Sequence, residues 1–219
     1  MTTWAIIPVK PLRESKRRLE HLLSAEERAA LIHQFLDNLL TVLNETAGID
    51  RVLVVTGDDE VIALADIHGA PLLFEAYPAG LNAAATQGVE YAARHDATAV
   101  LVLPADLPFA RVEDIERMLA PLAGQHGLSP DHPPLATDGG PLIALTGDEG
   151  EEGTNALLLA PPGEFKFHYG PGSFHAHLNE GVASGREIHI VNAPGLRFDL
   201  DTESDWLVYN GYLVMVADE

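Results

Sequence analysis

The sequence contains no cysteine, which excludes disulfides and thiolate metal sites and makes the cytoplasm the expected compartment. Cations are scarce: 13 Lys and Arg stand against 33 Asp and Glu in 219 residues, a formal net charge of −20. So acidic a chain has no extended basic surface for a phosphate backbone, and no nucleic-acid partner is expected. Long apolar runs are also missing. None approaches the ~20 residues of a membrane helix, and Met1-Thr2-Thr3-Trp4 does not open a basic segment followed by a long apolar one. No membrane partner is expected either. Internal repeats, low-complexity tracts and linkers are absent, and 47% of the residues are hydrophobic, so one domain over residues 1–219 is the expected organisation.

What cations there are gather in one place. Lys10, Arg13, Lys16, Arg17 and Arg18 fall within nine residues, directly after the apolar run of residues 4–9. A charge run can be a solvated helix start. An acidic protein that binds a polyanion must instead overcome its own field by clustering cations where the phosphates lie. The position after a strand favours the second reading, because open α/β sheets bind ligands at the carboxyl ends of their strands.

Downstream, strand and helix patterns alternate. Ser24-Ala25-Glu26-Glu27 reads as a capping box opening a helix to about Leu43. Residues 51–56 form a buried-strand run, and residues 60–68 a helix that Gly69 can stop. Residues 71–75 read as a third strand. A turn over residues 78–82 then starts a helix ending near His95. Residues 98–103 form the most apolar strand, and residues 112–119 the helix that follows it. Four such units specify a mainly parallel sheet with helices on both faces. The regularity breaks at Ala120, and residues 124–140 read as a loop rich in Gly, Pro, Asp and His. Later strands are expected at residues 141–146, 155–159, 165–169, 187–192 and 196–200. Helices are expected at 174–184 and after Thr202, with Thr202 as cap and Asp205 at the third helical position.

Several residues could carry chemistry. Asp106 lies just past the strongest strand, where a carboxylate either caps the loop or holds Mg²⁺, an ion bound through one or two carboxylates plus substrate phosphates. Asp199 and Asp201 would share one face of an extended segment, an arrangement that repels unless a cation lies between them. Asn82, after Gly80-Leu81, offers donor and acceptor edges suited to a base or ribose, and it also suits a helix N-cap. The glycine turn Gly170-Pro171-Gly172-Ser173 opening a helix is suited to anions. His175 and His177 alternate with Ala176, but two histidines without further ligands do not define a zinc site.

Ile7-Pro8-Val9-Lys10-Pro11-Leu12-Arg13-Glu14-Ser15-Lys16-Arg17-Arg18-Leu19 resembles the first loop of the 2-phospho-L-lactate or phosphoenolpyruvate guanylyltransferases of coenzyme F-420 biosynthesis, with Ser15 at a position usually held by Ala. Gly80-Leu81-Asn82, Asp106-Leu107-Pro108, Gly153-Thr154-Asn155-Ala156-Leu157, the segment from Tyr169 to His177, and Asp199-Leu200-Asp201-Thr202 continue the likeness in order to Asp205. The resemblance implies a GT-A-like nucleotidyltransferase fold of Rossmann-like α/β type, with a mainly parallel mixed sheet flanked by helices. It implies GTP and a small phosphorylated three-carbon acid as partners, and Mg²⁺ as cofactor. Pro8, Val9, Lys10, Lys16, Arg17, Gly80, Leu81 and Asn82 would bind the nucleotide. Thr154, Gly170, Ser173 and His177 would bind or orient the acceptor. Asp106 would hold the metal with Asp199 or Asp201, and Lys10, Lys16 and Asp106 would be catalytic.

One departure is that Glu149, after Asp148, stands where the family carries Arg, which weakens an acidic ligand's site unless another cation substitutes. Within enzymes the rival reading is a cytidylyl- or sugar-phosphate nucleotidyltransferase of the same fold. Outside them it is a non-catalytic nucleotide-binding sensor. Assembly as a homodimer stays open.

Overall fold

The computed structural model describes residues 1–76, 79–124 and 140–217. The expected βα units are present: β1 (Thr3–Pro8), α1 (Ala25–Glu45), β2 (Arg51–Thr56), α2 (Asp59–Ile67), β3 (Leu72–Phe74), α3 (Leu81–Arg94), β4 (Ala99–Val102) and α4 (Val112–Gly124). β5 (Leu142–Gly147), β6 (Thr154–Ala160), α5 (Ser173–Ala183), β7 (Glu187–Ile190) and α6 (Glu203–Ala217) follow. The strands form one sheet in the order β3-β2-β1-β4-β6-β5-β7. β6 alone runs antiparallel to its neighbours β4 and β5. The carboxyl ends of β1 to β5 therefore share one edge with the amino end of β6, where Thr154 lies.

The strand period of two decides which side chain faces which helices. From β1, Ala5 and Ile7 point into a core shared with Leu36, Leu39, Leu40 and Leu43 of α1 and with Ile115 and Met118 of α4. Trp4 and Ile6 point the other way, onto Ala84, Ala85, Val89 and Ala92 of α3 and Phe174 of α5. Because β1 is buried on both faces, it reads as a continuous apolar run, as central parallel strands do.

Local signals set the boundaries. Ser24 and Glu27 form the expected capping box of α1, with Ser24 N–H donating to Glu27 Oε2 (2.8 Å) and Glu27 N–H to Ser24 Oγ (3.2 Å). Thr202 and Asp205 do the same for α6, at 2.6 and 3.3 Å.

Four expectations are corrected. Helix α4 runs to Gly124 rather than Leu119, with Pro121 inside it, because Ile115, Met118 and Leu122 continue one buried stripe. Residues 165–169 are not a strand: the backbone N–H groups of His168 and Tyr169 donate to the side chains of His177 and Asn82 instead of to a ladder. Residues 196–200 are not a strand either. Pro194–Leu196 is a 3₁₀ turn whose Gly195 N–H donates to Asp114 Oδ1 (3.2 Å). The last strand closes at Ile190, short of Asn192. Of the expected loop at 124–140, residues 125–139 lie outside the described residues.

Candidate active site

The basic loop leaves β1 through two 3₁₀ turns, Leu12–Glu14 and Arg17–Leu19, joined at Lys16 in the left-handed region (φ 51°). Two residues that the sequence did not flag hold it there. Asp58, the N-cap of α2, accepts the Leu12 N–H (2.8 Å), and buried Arg28 of α1 donates to the carbonyls of Ser15 (3.1 Å) and Leu23 (2.8 Å). Arg28 is a cation on an otherwise apolar helix stripe, and that was its only signal.

So anchored, the loop turns the Lys16 side chain inward, 4% exposed. Its ammonium donates to Asp106 Oδ2 and to Asp201 Oδ1, the second at 3.3 Å. Burial works to lower the Lys16 pKa, yet the charges of Asp106 and Asp201 and the Asp106 hydrogen bond outweigh it, and the net shift is upward. Arg18 donates to the other Asp201 oxygen at 2.6 Å. The second Asp106 oxygen, Oδ1, is buried and, among the described residues, has no hydrogen-bond partner. Asp199 is anchored by Asn155, whose amide donates to its Oδ1 (3.3 Å). Burial, and then the nearby charge of Asp106, pushes the Asp199 carboxyl up to about 6 against the opposing pull of Lys16.

Lys16, Asp106 and Asp201 open onto a cavity of about 190 Å³ lined also by Pro8, Val9, Lys10, Gly80 and Leu81, and by Glu75, which the sequence reading did not single out, while Asp199 and Arg18 line a neighbouring cleft. Arg17 is exposed and does not line the cavity. Gly80 precedes α3 at φ 94°, a backbone that only glycine adopts readily, and α3 begins with no side-chain cap. Its first N–H groups therefore remain free for an anion.

The residues expected at the acceptor form a second cluster. Gly172 at φ 71° turns the chain into α5, again without a side-chain cap. Ser173 Oγ donates to Thr154 Oγ1 at 3.4 Å, and Thr154 Oγ1 lies 2.9 Å from His177 Nδ1. His177 is fully buried. Its Nε2 accepts the His168 N–H (2.8 Å), so the neutral ring carries its proton on Nδ1 and donates it to Thr154. Thr154 thus keeps its own hydroxyl proton to offer elsewhere. Burial, and then His168, depresses the His177 pKa to about 4. Gly170 lies exposed at the start of this turn.

Asn82 joins the two clusters. Its Oδ1 accepts the Tyr169 N–H (2.6 Å) and its Nδ2 donates to the Tyr169 carbonyl (3.1 Å), so both amide edges clasp the acceptor turn to the start of α3. Near Glu149, Arg197 donates to the Glu149 carbonyl at 3.1 Å, bringing a cation to the position where the resemblance led one to expect Arg.

Comparison with known proteins agrees with this architecture. Residues 3–127 match the family model described as guanylyl transferase CofC like. The chain is 38% identical over 206 residues, covering 94% of it and 92% of the relative, to a phosphoenolpyruvate guanylyltransferase of Rubrobacter xylanophilus. It is 29% identical over 205 residues, covering 94% of it and 82% of the relative, to a 2-phospho-L-lactate guanylyltransferase of Methanothermobacter thermautotrophicus. A nucleotidyl transferase structure from Methanothermobacter superposes with a TM-score of 0.64 at 16% identity over 98% of this chain and 99% of its own, a likeness of fold. With the family model spanning more than half of the chain and the curated relatives nearly all of it, the protein belongs to the CofC-like guanylyl transferase family.

Proposed function

We propose that the protein transfers GMP from GTP to the phosphate of a small phosphorylated three-carbon acid, the chemistry that the resemblance to the coenzyme F-420 guanylyltransferases implies. An acceptor phosphate oxygen attacks the α-phosphorus, the bond to the β-phosphate oxygen breaks, and pyrophosphate leaves. The acceptor is anionic at neutral pH, so the protein need supply no covalent nucleophile. Its tasks are in-line positioning and charge neutralisation. The observation that carries the reading is Lys16, a buried ammonium held by Asp106 and Asp201 at the edge where β1 and β4 end.

Lys10 and Lys16 would clamp the triphosphate, with the free N–H groups at the start of α3 beside them. Thr154, which accepts from Ser173 and His177, offers its hydroxyl proton to the phosphate or carboxylate of the acid beside the glycine turn that opens α5. His177 keeps Thr154 oriented as a donor.

The residues fit Mg²⁺. Among the described residues no group of three or more His, Cys, Asp or Glu side chains is arranged to hold a metal alone, but Mg²⁺ brought by a triphosphate needs only one or two carboxylates. Asp106 supplies a buried oxygen that has no partner among the described residues. Asp199 supplies the second carboxylate, while both oxygens of Asp201 are engaged by Lys16 and Arg18. Bound there, the ion would neutralise charge on the α-phosphate and on the leaving pyrophosphate.

The test incubates the protein with Mg²⁺, each of the four nucleoside triphosphates, and phosphoenolpyruvate, 2-phospho-L-lactate, 3-phosphoglycerate or a sugar phosphate in turn, with products identified by mass. The expected result is pyrophosphate and a guanosine diphosphodiester with GTP. Pyrophosphate only with CTP and a sugar phosphate would favour the cytidylyl reading, and nucleotide binding without pyrophosphate would favour a sensor.

A further inference from the structure

Glu75 is a buried carboxylate, 7% exposed, immediately after β3. Among the described residues it makes no ion pair, and its one side-chain hydrogen bond is the Ala79 N–H donating to Oε1 at 3.2 Å. A carboxylate can accept about four hydrogen bonds, and Glu75 accepts one, which leaves most of its acceptor capacity open to a ligand. The Ala79 N–H needs only one neutral oxygen and does not account for a charge. Glu75 also lines the cavity that holds Lys10, Lys16 and Asp106, so a bound molecule can supply the missing donors.

Its place along the sheet says which part of a nucleotide would reach it. The strand order β3-β2-β1-β4 puts Glu75 at one end of the site and Asp106, after β4, at the other. Three strand spacings separate them, roughly 14 Å, a span suited to an extended nucleoside triphosphate. With the phosphates at Lys10, Lys16 and Asp106, the base lies toward β3.

We infer that Glu75 reads the base, accepting the N1–H and the 2-amino group of guanine. This inference rests on the nucleotide reading above and assigns its selectivity. Guanine is the common base with two adjacent donors on that edge. Adenine and cytosine present an unprotonated ring nitrogen there, and uracil flanks its single N–H with carbonyls. Each of the three sets a lone pair against the carboxylate, which selects by repulsion as well as by attraction.

The experiment measures kcat/KM for GTP, ITP and XTP with phosphoenolpyruvate, and binding of each triphosphate without acceptor by calorimetry, for the wild-type protein and Glu75→Gln. That variant keeps an oxygen for the Ala79 N–H and replaces the other acceptor with a donor. The expected wild-type order is GTP first, ITP weaker for want of the 2-amino group, and XTP weakest because its 2-carbonyl faces the carboxylate. In Glu75→Gln, GTP should fall by about 10- to 100-fold, the range for losing a charged hydrogen bond, and XTP should rise, since the new amide donates to that carbonyl. An unchanged GTP-to-XTP ratio would overturn the inference. Should the variant fail to fold, a wild-type protein that binds GTP, ITP and XTP alike would overturn it equally. Wild-type binding in the expected order without turnover on phosphoenolpyruvate, 2-phospho-L-lactate or 3-phosphoglycerate would support Glu75 as the base reader while refuting guanylyl transfer, so the two failures are separable.

Discussion

Lys16 combines three properties that a surface lysine lacks: a left-handed backbone, a side chain almost wholly out of water, and carboxylates of two other chain segments on its ammonium. A left-handed non-glycine residue costs about 1–2 kcal/mol, which the anchors at Asp58 and Arg28 must offset. If the ammonium stabilises charge on the leaving pyrophosphate, Lys16→Gln should slow turnover by about 10²–10³-fold, or roughly 3–4 kcal/mol. Arg13→Gln is the control. Arg13 reaches only the exposed Glu26 at the surface, so equal small losses in the two variants would reduce the basic loop to a solvated charge run. His177 makes a second prediction at this scale. Its folded pKa of about 4 lies below the ordinary 6.5. Between those values the unfolded chain binds a proton that the folded chain refuses, so stability falls as pH drops from about 6.5 to about 4, by up to about 3 kcal/mol. Chemical denaturation across that window should show a flatter pH dependence in His177→Gln than in wild type. Identical slopes would place the loss in other groups.

At the scale of elements, the clasp between the start of α3 and the turn before α5 sets how the two half-sites face each other. Asn82→Leu removes both of its hydrogen bonds to Tyr169, and should raise the KM for the three-carbon acid on the order of 10-fold with little change in the KM for GTP. Steady-state kinetics with each substrate varied decides it. A rise confined to GTP would return Asn82 to direct nucleotide contact. The same clasp shows where reading from sequence stops. The four leading βα units were legible because their apolar periods and caps are local, as at Ser24 and Glu27. Asp106, Lys16 and the Asp199 to Thr202 segment stood out for the same reason, each lying beside a recognisable strand or helix signal. The aromatic alternation of Phe165, Phe167 and Tyr169 looks like a strand, but the backbone there is taken by His177 and Asn82, partners that only the tertiary fold brings near. Glu75 fell inside the expected strand of residues 71–75, and only the structure, where β3 closes at Phe74, puts it just past a strand end as Asp106 is.

Across the whole molecule, a net charge of −20 surrounds a site that must admit a triphosphate and an acidic acceptor. Lys16 and Arg18 are held at the edge where β1 and β4 end by Asp106 and Asp201. With a Debye length of about 8 Å at physiological ionic strength, the distant acidic surface is largely screened from these short contacts. In the proposed reaction an oxygen of the acceptor phosphate becomes the bridge to the α-phosphorus of GTP. Phosphoenolpyruvate carrying ¹⁸O in its non-bridging phosphate oxygens tests this in one mass spectrum. The predicted result is a guanosine diphosphodiester retaining all of the label, with pyrophosphate free of it. GDP together with a doubly phosphorylated acid, or GMP with the labelled acid unchanged, would contradict it.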